Sequence, residues 1–176
     1  WEWARLGGSL TFTWHWFSPL GGQDKSFYME HTDYDARQAL IEGTPEHAAF
    51  YSDMDHMAAL LTPFAEAGVP ILWRPFHECD GKWFWWGAQG MDTARELFRA
   101  MFRYFTGHHQ LHNLVWVWNN PQPEGYVGDE YCDLISRDFY PPAHAHGAFE
   151  DRLTTLQEIT PADKGCAIAE TGVIPD

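Results

Sequence analysis

The chain alternates short apolar strands with helical stretches, and this alternation limits its possible folds more than any other feature. Segments rich in β-branched and aromatic residues read as strands; they are 8–16, 69–78, 112–121, 131–142 and 164–172. Helical periodicity predicts a helix from about 44 to 64, a second from Thr93 and a weaker one over 148–159. Alternation of this kind predicts an α/β fold with a parallel sheet and crossover helices.

Local signals set the expected helix ends. Thr44 is a typical N-cap residue and is followed by proline at the first helical position. We expect Pro63 to kink or interrupt that helix, and Gly68 to close the segment. Thr93 and Glu96 match a capping box at the start of the second helix.

Polar side chains stand where the predicted strands end: His15, His77 with Glu78, Asn119, Asp138 to Tyr140, and Glu170. Such residues form the active sites of (β/α)₈ TIM barrels, and doubly wound sheets place ligands at the same edge. The glycine-rich phosphate-binding pattern of the second class is missing, so we favour the barrel. A barrel needs about 250 residues and eight strands, so we expect an incomplete one.

Glu78 and Glu170 are the candidate catalytic pair, because both follow strands whose ends share one edge. Two carboxylates on either side of a sugar are what glycoside hydrolysis requires. The aromatic run that follows Glu78 would desolvate it and keep it protonated, whereas Glu170 lies among small residues. We therefore predict Glu78 as acid/base and Glu170 as nucleophile.

Aromatic side chains near the strand ends predict a groove that stacks on sugar rings. Trp83 is the leading platform, and Trp86, Trp118 and Tyr140 join it as predicted substrate-binding residues together with His15, Arg74, His77 and Asp138. Core packing is the favoured interpretation for Trp85 and Trp116.

Charge excludes several partners. The net charge is −14, with only 11 lysines and arginines, so a phosphate-binding surface for nucleic acid or an anionic membrane is not expected. No apolar run reaches the length of a membrane span. A neutral polymer carries no electrostatic penalty on such a surface.

Metal and redox chemistry are not indicated. His144 and His146 have a ligand-like spacing but no identifiable third ligand, and we predict neither metal nor cofactor. The 3 cysteines form no CxxC pair, so free thiols are expected, with one disulfide left open.

The stretch "WRPFHECDGKWFWWG" (73–87) resembles the acid/base motif of glycoside hydrolase family 26, RPxHExNGxWFWWG. The segments "TFTWHW", "NLVWVWN", "DLISRDFY" and "AIAETG" follow in the family's order. This resemblance implies a retaining endo-β-1,4-mannanase on a (β/α)₈ barrel, with these strands as barrel strands three to seven. The chain, residues 1–176, would then be a partial catalytic domain that lacks strands one, two and eight.

The resemblance also implies residue roles. Glu78 would be the acid/base and Glu170 the nucleophile, with Tyr140 hydrogen-bonding the nucleophile and Arg74 keeping it ionised. His15 and His77 would contact the sugar, and Trp83 would wall the cleft near the leaving group. Two positions depart from the motif: Asp80 stands in place of asparagine and Cys79 in place of methionine. A charge on Asp80 would raise the pKa of Glu78.

The resemblance leaves alternatives open. The family also contains β-1,3-xylanases and mixed-linkage glucanases, and a catalytically silent carbohydrate-binding protein would keep the aromatic groove. The expected partner is a β-mannan, galactomannan or glucomannan. A polymeric substrate implies an extracellular or periplasmic location, and the complete protein is expected to be a monomer. We expect the five-stranded piece to be poorly stable and inactive by itself.

Overall fold

A computed structural model describes residues 1–22, 24–142 and 149–172. Its centre is a parallel sheet whose strands follow the order β1-β2-β3-β4-β5. The strands are β1 (Leu10–Thr13), β2 (Ile71–Arg74), β3 (Leu114–Asn119), β4 (Leu134–Phe139) and β5 (Gly165–Thr171). Sequential order is the topology of a barrel wall, whereas strand order reverses within a doubly wound sheet. The sheet is therefore part of a barrel.

Helices connect most of the strands. The helices are α1 (Glu2–Arg5), α2 (Pro45–Glu66), α3 (Trp85–Ala88), α4 (Met91–Arg103) and α5 (Phe149–Gln157). A π-helical turn, Tyr104–His108, continues α4, and the short 3₁₀ turns are Met29–His31, Gln38–Leu40 and Pro123–Gly125. The predicted alternation of strands and helices is confirmed except between β3 and β4. The described residues of that connection form only the 3₁₀ turn Pro123–Gly125 and no α-helix.

The start of α2 and its closure at Gly68 agree with the sequence signals, but the predicted interruption at Pro63 does not occur. The hydroxyl of Thr44 accepts a hydrogen bond of 3.1 Å from the N–H of His47, which confirms the N-cap. Pro63 does not interrupt the helix, which continues to Glu66. Because Pro63 lies in the last turn, its missing N–H removes little of the hydrogen-bond ladder. Gly68 follows with φ of 65°.

The predicted capping box of α4 is wrong. The helix begins at Met91, before Thr93, and its N-cap is Gly90. Gly90 has φ of 100°, a conformation that a residue without a Cβ adopts readily, and this allows the sharp change of direction between α3 and α4. The tertiary turn therefore outweighs the local capping signal.

Strand alternation divides the side chains of β2 and β3 between two faces. Trp73 and Trp118 lie on the face covered by α4, where the Trp73 indole N–H points at the Met101 sulfur and Trp118 packs edge-on against Phe98. Neighbouring residues of a strand point to opposite faces. Arg74 and Asn119 therefore point away from α4, toward the inner side of the barrel wall.

The composition also led to expectations about membrane spans and about the cysteines. Among the described residues, no helix is both long enough and apolar enough to cross a membrane. All three cysteines are free thiols, as expected, and Cys79 and Cys132 are buried.

Candidate active site

Glu78 and Glu170 meet at the carboxyl-terminal edge of the sheet, as predicted. Glu78 lies in the loop after β2, and Glu170 is near the end of β5. One carboxylate oxygen from each of them, and one from Asp138 of β4, all lie within 4.8 Å of one another. Both glutamates are half-buried. The fold thus brings together two carboxylates that are far apart in the chain.

An irregularity in the sheet places Glu170 on the inner face. Arg137 of β4 pairs with Ile168 of β5, but Asp138 pairs with Glu170, so that Ala169 is the extra residue of a β-bulge. A bulge re-aims the side chains that follow it. As a result the carboxylates of Asp138 and Glu170 come from paired positions and both reach Arg74.

Glu170 is held as an anion by two donors. Arg74 Nη1 lies 2.6 Å from Glu170 Oε1, and the Tyr140 hydroxyl donates to Oε2 at 2.7 Å. Burial by itself would raise the pKa of Glu170, but the hydrogen bonds from Tyr140 and Arg74 and the charge of Arg74 outweigh it and lower that pKa. The carboxylate is therefore ionised, and both donors approach it from the protein.

Arg74 is shared between two carboxylates. Its guanidinium is 2% exposed, and it bonds Asp138 Oδ2 as well as Glu170. It also donates to the Thr13 hydroxyl at 3.2 Å. Burial, with the negative charges of Glu170 and Glu78, raises the pKa of Asp138 to about 7 against the opposing charge of Arg74.

Glu78 has the opposite environment. Its carboxylate accepts a hydrogen bond from the Trp83 indole N–H, which lies 3.2 Å from Oε2. Burial raises the pKa of the Glu78 carboxyl and the charge of Glu170 adds to the effect, whereas Trp83 and Arg74 oppose it. The charge of Asp80 also raises the pKa of Glu78, with a smaller effect than the other groups. The same edge of the sheet thus holds one carboxyl that favours its proton and one that has lost it.

Three of the predicted substrate-binding residues are exposed at this edge of the sheet. Trp83 is 50% exposed and Tyr140 41%, and His15 is also exposed. Gly81 lies against the Trp83 ring so closely that a Cβ there would fall within 2.4 Å of it. Trp83 therefore presents one face to the protein, and a sugar-stacking role for its ring stays a prediction.

His77 lies beneath His15, with their ring centroids 4.5 Å apart. It is 1% exposed and packs against Phe84 and Trp86. Burial, followed by the charges of Arg74 and His15, lowers the pKa of His77 to about 3, so the ring is neutral at ordinary pH. Substrate contact by His77, Arg74 and Asp138 stays a prediction. In the structure Arg74 bonds Glu170 and Asp138, and Asp138 bonds Arg74 and Asn119.

The prediction that Trp86 and Trp118 bind substrate is corrected by the structure. Both are fully buried, so neither ring has a face to offer a ligand. The Trp86 N–H donates to the backbone oxygen of His77 at 2.8 Å, and its ring stacks on Phe84. Trp118 points to the α4 side of the sheet. The core interpretation of Trp85 and Trp116 is confirmed, since both are buried.

Two clusters in the described part of the chain have ligand atoms close enough to consider a metal: Glu78, Asp138 and Glu170, and Asp55, His108 and His109. In the first, the Arg74 guanidinium already bonds two carboxylates and would repel a cation. In the second, Asp55 already accepts hydrogen bonds from Tyr104 and His109. Hydrogen bonds within the protein account for both clusters. His144 and His146 lie outside the described residues.

Comparison with known proteins agrees with this geometry. The sequence profile of glycosyl hydrolase family 26 matches residues 1–176. The chain belongs to this family. The resemblance drawn from the aromatic motif is therefore confirmed, and the alternative of an unrelated doubly wound protein is excluded.

The chain is also similar to proteins named as mannanases. The chain is 36% identical over 180 residues to a mannan endo-1,4-β-mannosidase of Thermothelomyces thermophilus, covering 98% of this chain and 37% of that protein. It is 31% identical to mannan endo-1,4-β-mannosidase B of Piromyces sp, covering all of this chain and 30% of that one. The chain thus spans about a third of the length of these relatives.

Solved family 26 structures have the same fold. The Podospora anserina GH26-CBM35 β-(1,4)-mannanase superposes with a TM-score of 0.90 at 36% identity, over 98% of this chain and 40% of that one. A β-mannanase from a symbiotic protist of the termite Reticulitermes speratus, complexed with gluco-manno-oligosaccharide, gives 0.92 at 35% identity, over 99% and 56%. The five-stranded sheet therefore corresponds to part of a family 26 barrel.

The structure adds Asn119 to the family 26 site, a residue that the sequence placed at a strand end without a role. Its side-chain oxygen accepts the backbone N–H of Glu78 at 2.7 Å. The signal was its position as the last polar residue of a buried strand. Nothing in the sequence indicated the left-handed backbone of Glu78 or the bulge at Ala169, which depend on packing across strands.

Proposed function

We propose that the protein is a retaining endo-β-1,4-mannanase that works by double displacement. The observation that carries the proposal is the pair of glutamates with opposed pKa shifts, whose nearest oxygens lie within 4.8 Å. Retaining glycosidases hold their carboxyl groups about 5–5.5 Å apart, and inverting ones about 6.5–9.5 Å. The close pair supports retention.

The steps follow from the two environments. Glu78 donates its proton to the glycosidic oxygen, and the C–O bond to the leaving sugar breaks. The Glu170 carboxylate, held by Arg74 and Tyr140, bonds to the anomeric carbon and forms a glycosyl-enzyme. The Glu78 carboxylate then takes a proton from water, whose oxygen displaces Glu170 from that carbon.

Mannan is the proposed substrate because the relatives named above are mannanases. We further propose that β1 to β5 are barrel strands three to seven of a catalytic domain, and that the protein acts as a monomer outside the cytoplasm, where a polymer is accessible. Trp83, beside Glu78 and half-exposed, would contact the leaving-group side of the sugar chain.

The direct test is hydrolysis by the gene product that carries this chain. New reducing ends from mannan, with a rapid fall in viscosity, are expected, and β-1,3-xylan and mixed-linkage glucan serve as comparison substrates. Proton NMR of the first product is expected to show the β anomer. Binding of mannan without cleavage would support a binding protein, and an α anomer would contradict retention.

The departure at Asp80 predicts a shift in the pH profile. Glu78 must be protonated for the first step, so kcat/KM falls as pH rises through its pKa. The charge of Asp80 helps to raise that pKa. Asp80→Asn is therefore expected to move the basic limb of kcat/KM against pH to lower values.

The matched control is Asp163→Asn, an exposed aspartate before β5 at the opposite edge of the sheet, which is expected to leave the limb in place. A basic limb that is unchanged in Asp80→Asn would show that Asp80 does not act on Glu78.

A further inference from the structure

The backbone around Glu78 is held in an unfavourable conformation. Phe76 has φ of 52° and Glu78 has φ of 51°, in the left-handed region that residues with a Cβ rarely adopt. The carbonyl of Glu78 accepts the Gly81 N–H at 3.0 Å, which closes a turn directly after the glutamate. A strained residue of this kind persists only where its surroundings fix it.

Asn119 supplies the contact that fixes Glu78. It is the last residue of β3 and is 1% exposed. Its Oδ1 accepts the Glu78 N–H at 2.7 Å. Its Nδ2 donates to the Ser136 hydroxyl at 3.1 Å and to Asp138 Oδ1 at 3.2 Å. Every polar atom of the amide group is therefore bonded to a neighbouring strand or to the Glu78 loop.

These bonds join the two glutamates through the sheet. From Glu78 the chain of hydrogen bonds runs through the Asn119 amide to Asp138, then through Arg74 to Glu170. Each member except the Glu78 backbone is a side chain on the inner face of the sheet. The separation of the two carboxyls therefore depends on a connected set of buried groups.

We propose that Asn119 is a positioning residue that fixes the proton-donating carboxyl of Glu78 relative to Glu170. The inference rests on the proposed function. An asparagine suits the position because it accepts from an N–H and donates to a carboxylate at once. An aspartate would direct a second carboxylate at Asp138, and an alanine would leave the Glu78 N–H without its acceptor.

The test separates proton donation from every other step. Mannan has a poor leaving group and needs the proton of Glu78, whereas an aryl β-mannobioside with a dinitrophenolate leaving group does not. For both substrates kcat/KM reports only the steps up to glycosyl-enzyme formation. Asn119→Ala is expected to lower kcat/KM on mannan by about 10²-fold, the effect of a displacement of about 1 Å, and on the aryl substrate by less than about 5-fold.

The control is Asn120→Ala. Asn120 is also fully buried, but its amide contacts the Cys79 and Met91 sulfurs and the Gln122 N–H, and no carboxylate. It is expected to lower the melting temperature without a difference between the two substrates. Asn119→Asp preserves the size of the side chain and is the substitute variant in case Asn119→Ala folds poorly. It is expected to show the same selective loss on mannan.

The pH profile gives a second readout. Because Glu78 is still present in the Asn119 variants, the basic limb of kcat/KM against pH is expected to persist. Equal loss on both substrates, no loss on mannan, or the same selective loss in Asn120→Ala would each overturn the positioning role. Failure of the unmodified protein to cleave mannan or the aryl substrate would instead overturn the proposed function.

Discussion

Replacing Glu170 with alanine is expected to lower kcat on mannan by about 10⁴-fold or more, the scale seen when a group that acts in covalent catalysis is removed. The reason is that no other described side chain can take its place. Asp138 is nearby, but its oxygens already bond Arg74 and Asn119, and burial raises its pKa to about 7. Release of reducing ends from mannan measures the effect.

The variant should remain folded, which makes the loss interpretable. The Glu170 side chain is 36% exposed, and Arg74 would keep Asp138 and Thr13 as partners. A circular dichroism spectrum and melting temperature close to those of the unmodified protein are expected. Glu158→Ala, an exposed glutamate after α5, is the matched control and should keep full activity. More than about 1% residual activity in Glu170→Ala would rule it out as nucleophile.

The edge of the sheet at which the two glutamates meet could be predicted because it depends on topology alone. Parallel strands present their carboxyl-terminal ends at one edge. Once 69–78 and 164–172 were interpreted as strands, Glu78 and Glu170 had to share that edge. The aromatic run after Glu78 predicts the raised pKa of that carboxyl, and burial does raise it, although the hydrogen bond from Trp83 in that run lowers it. The donors that hold Glu170 are Arg74 and Tyr140, which the residues next to Glu170 in sequence do not indicate.

The face of each strand could not be predicted in the same way. A period of two shows that Trp116 and Trp118 share a face, but not which face is covered by α4. That depends on the docking of Phe98 and its neighbours on the sheet. The sequence therefore predicts a groove position for Trp118, whereas in the structure Asn119, one residue later, points into the site.

The exact placement of the two glutamates depends on irregular backbone conformations. The extra residue Ala169 sets which residue of β5 faces Asp138, and a strand pattern of 164–172 does not contain that information. The left-handed conformation of Glu78 is likewise unfavourable by local preference. Such features arise where the surrounding structure outweighs local propensity, and here they coincide with the two glutamates.

Replacing Glu78 with alanine is the second large effect. We expect kcat/KM on mannan to fall by about 10²–10⁴-fold, the contribution of a general acid. A dinitrophenyl mannobioside should still form the glycosyl-enzyme, since its leaving group departs without a proton. Turnover would then stall, because no base activates water. Added azide needs no base, so it should restore turnover and yield a β-mannosyl azide.

The pH profile distinguishes this variant from one that is only misfolded. In the unmodified protein kcat/KM falls at high pH as Glu78 loses its proton, and the raised pKa of that carboxyl places the fall at higher pH than for an ordinary glutamate. Glu78→Ala has no such group, so its basic limb should vanish, whereas Asp80→Asn should only move it. A Glu78→Ala enzyme that keeps the limb, or that azide does not rescue, would assign the proton to another residue. Asp138 would be the residue to test, because its pKa is raised to about 7 and its carboxylate lies close to those of Glu78 and Glu170.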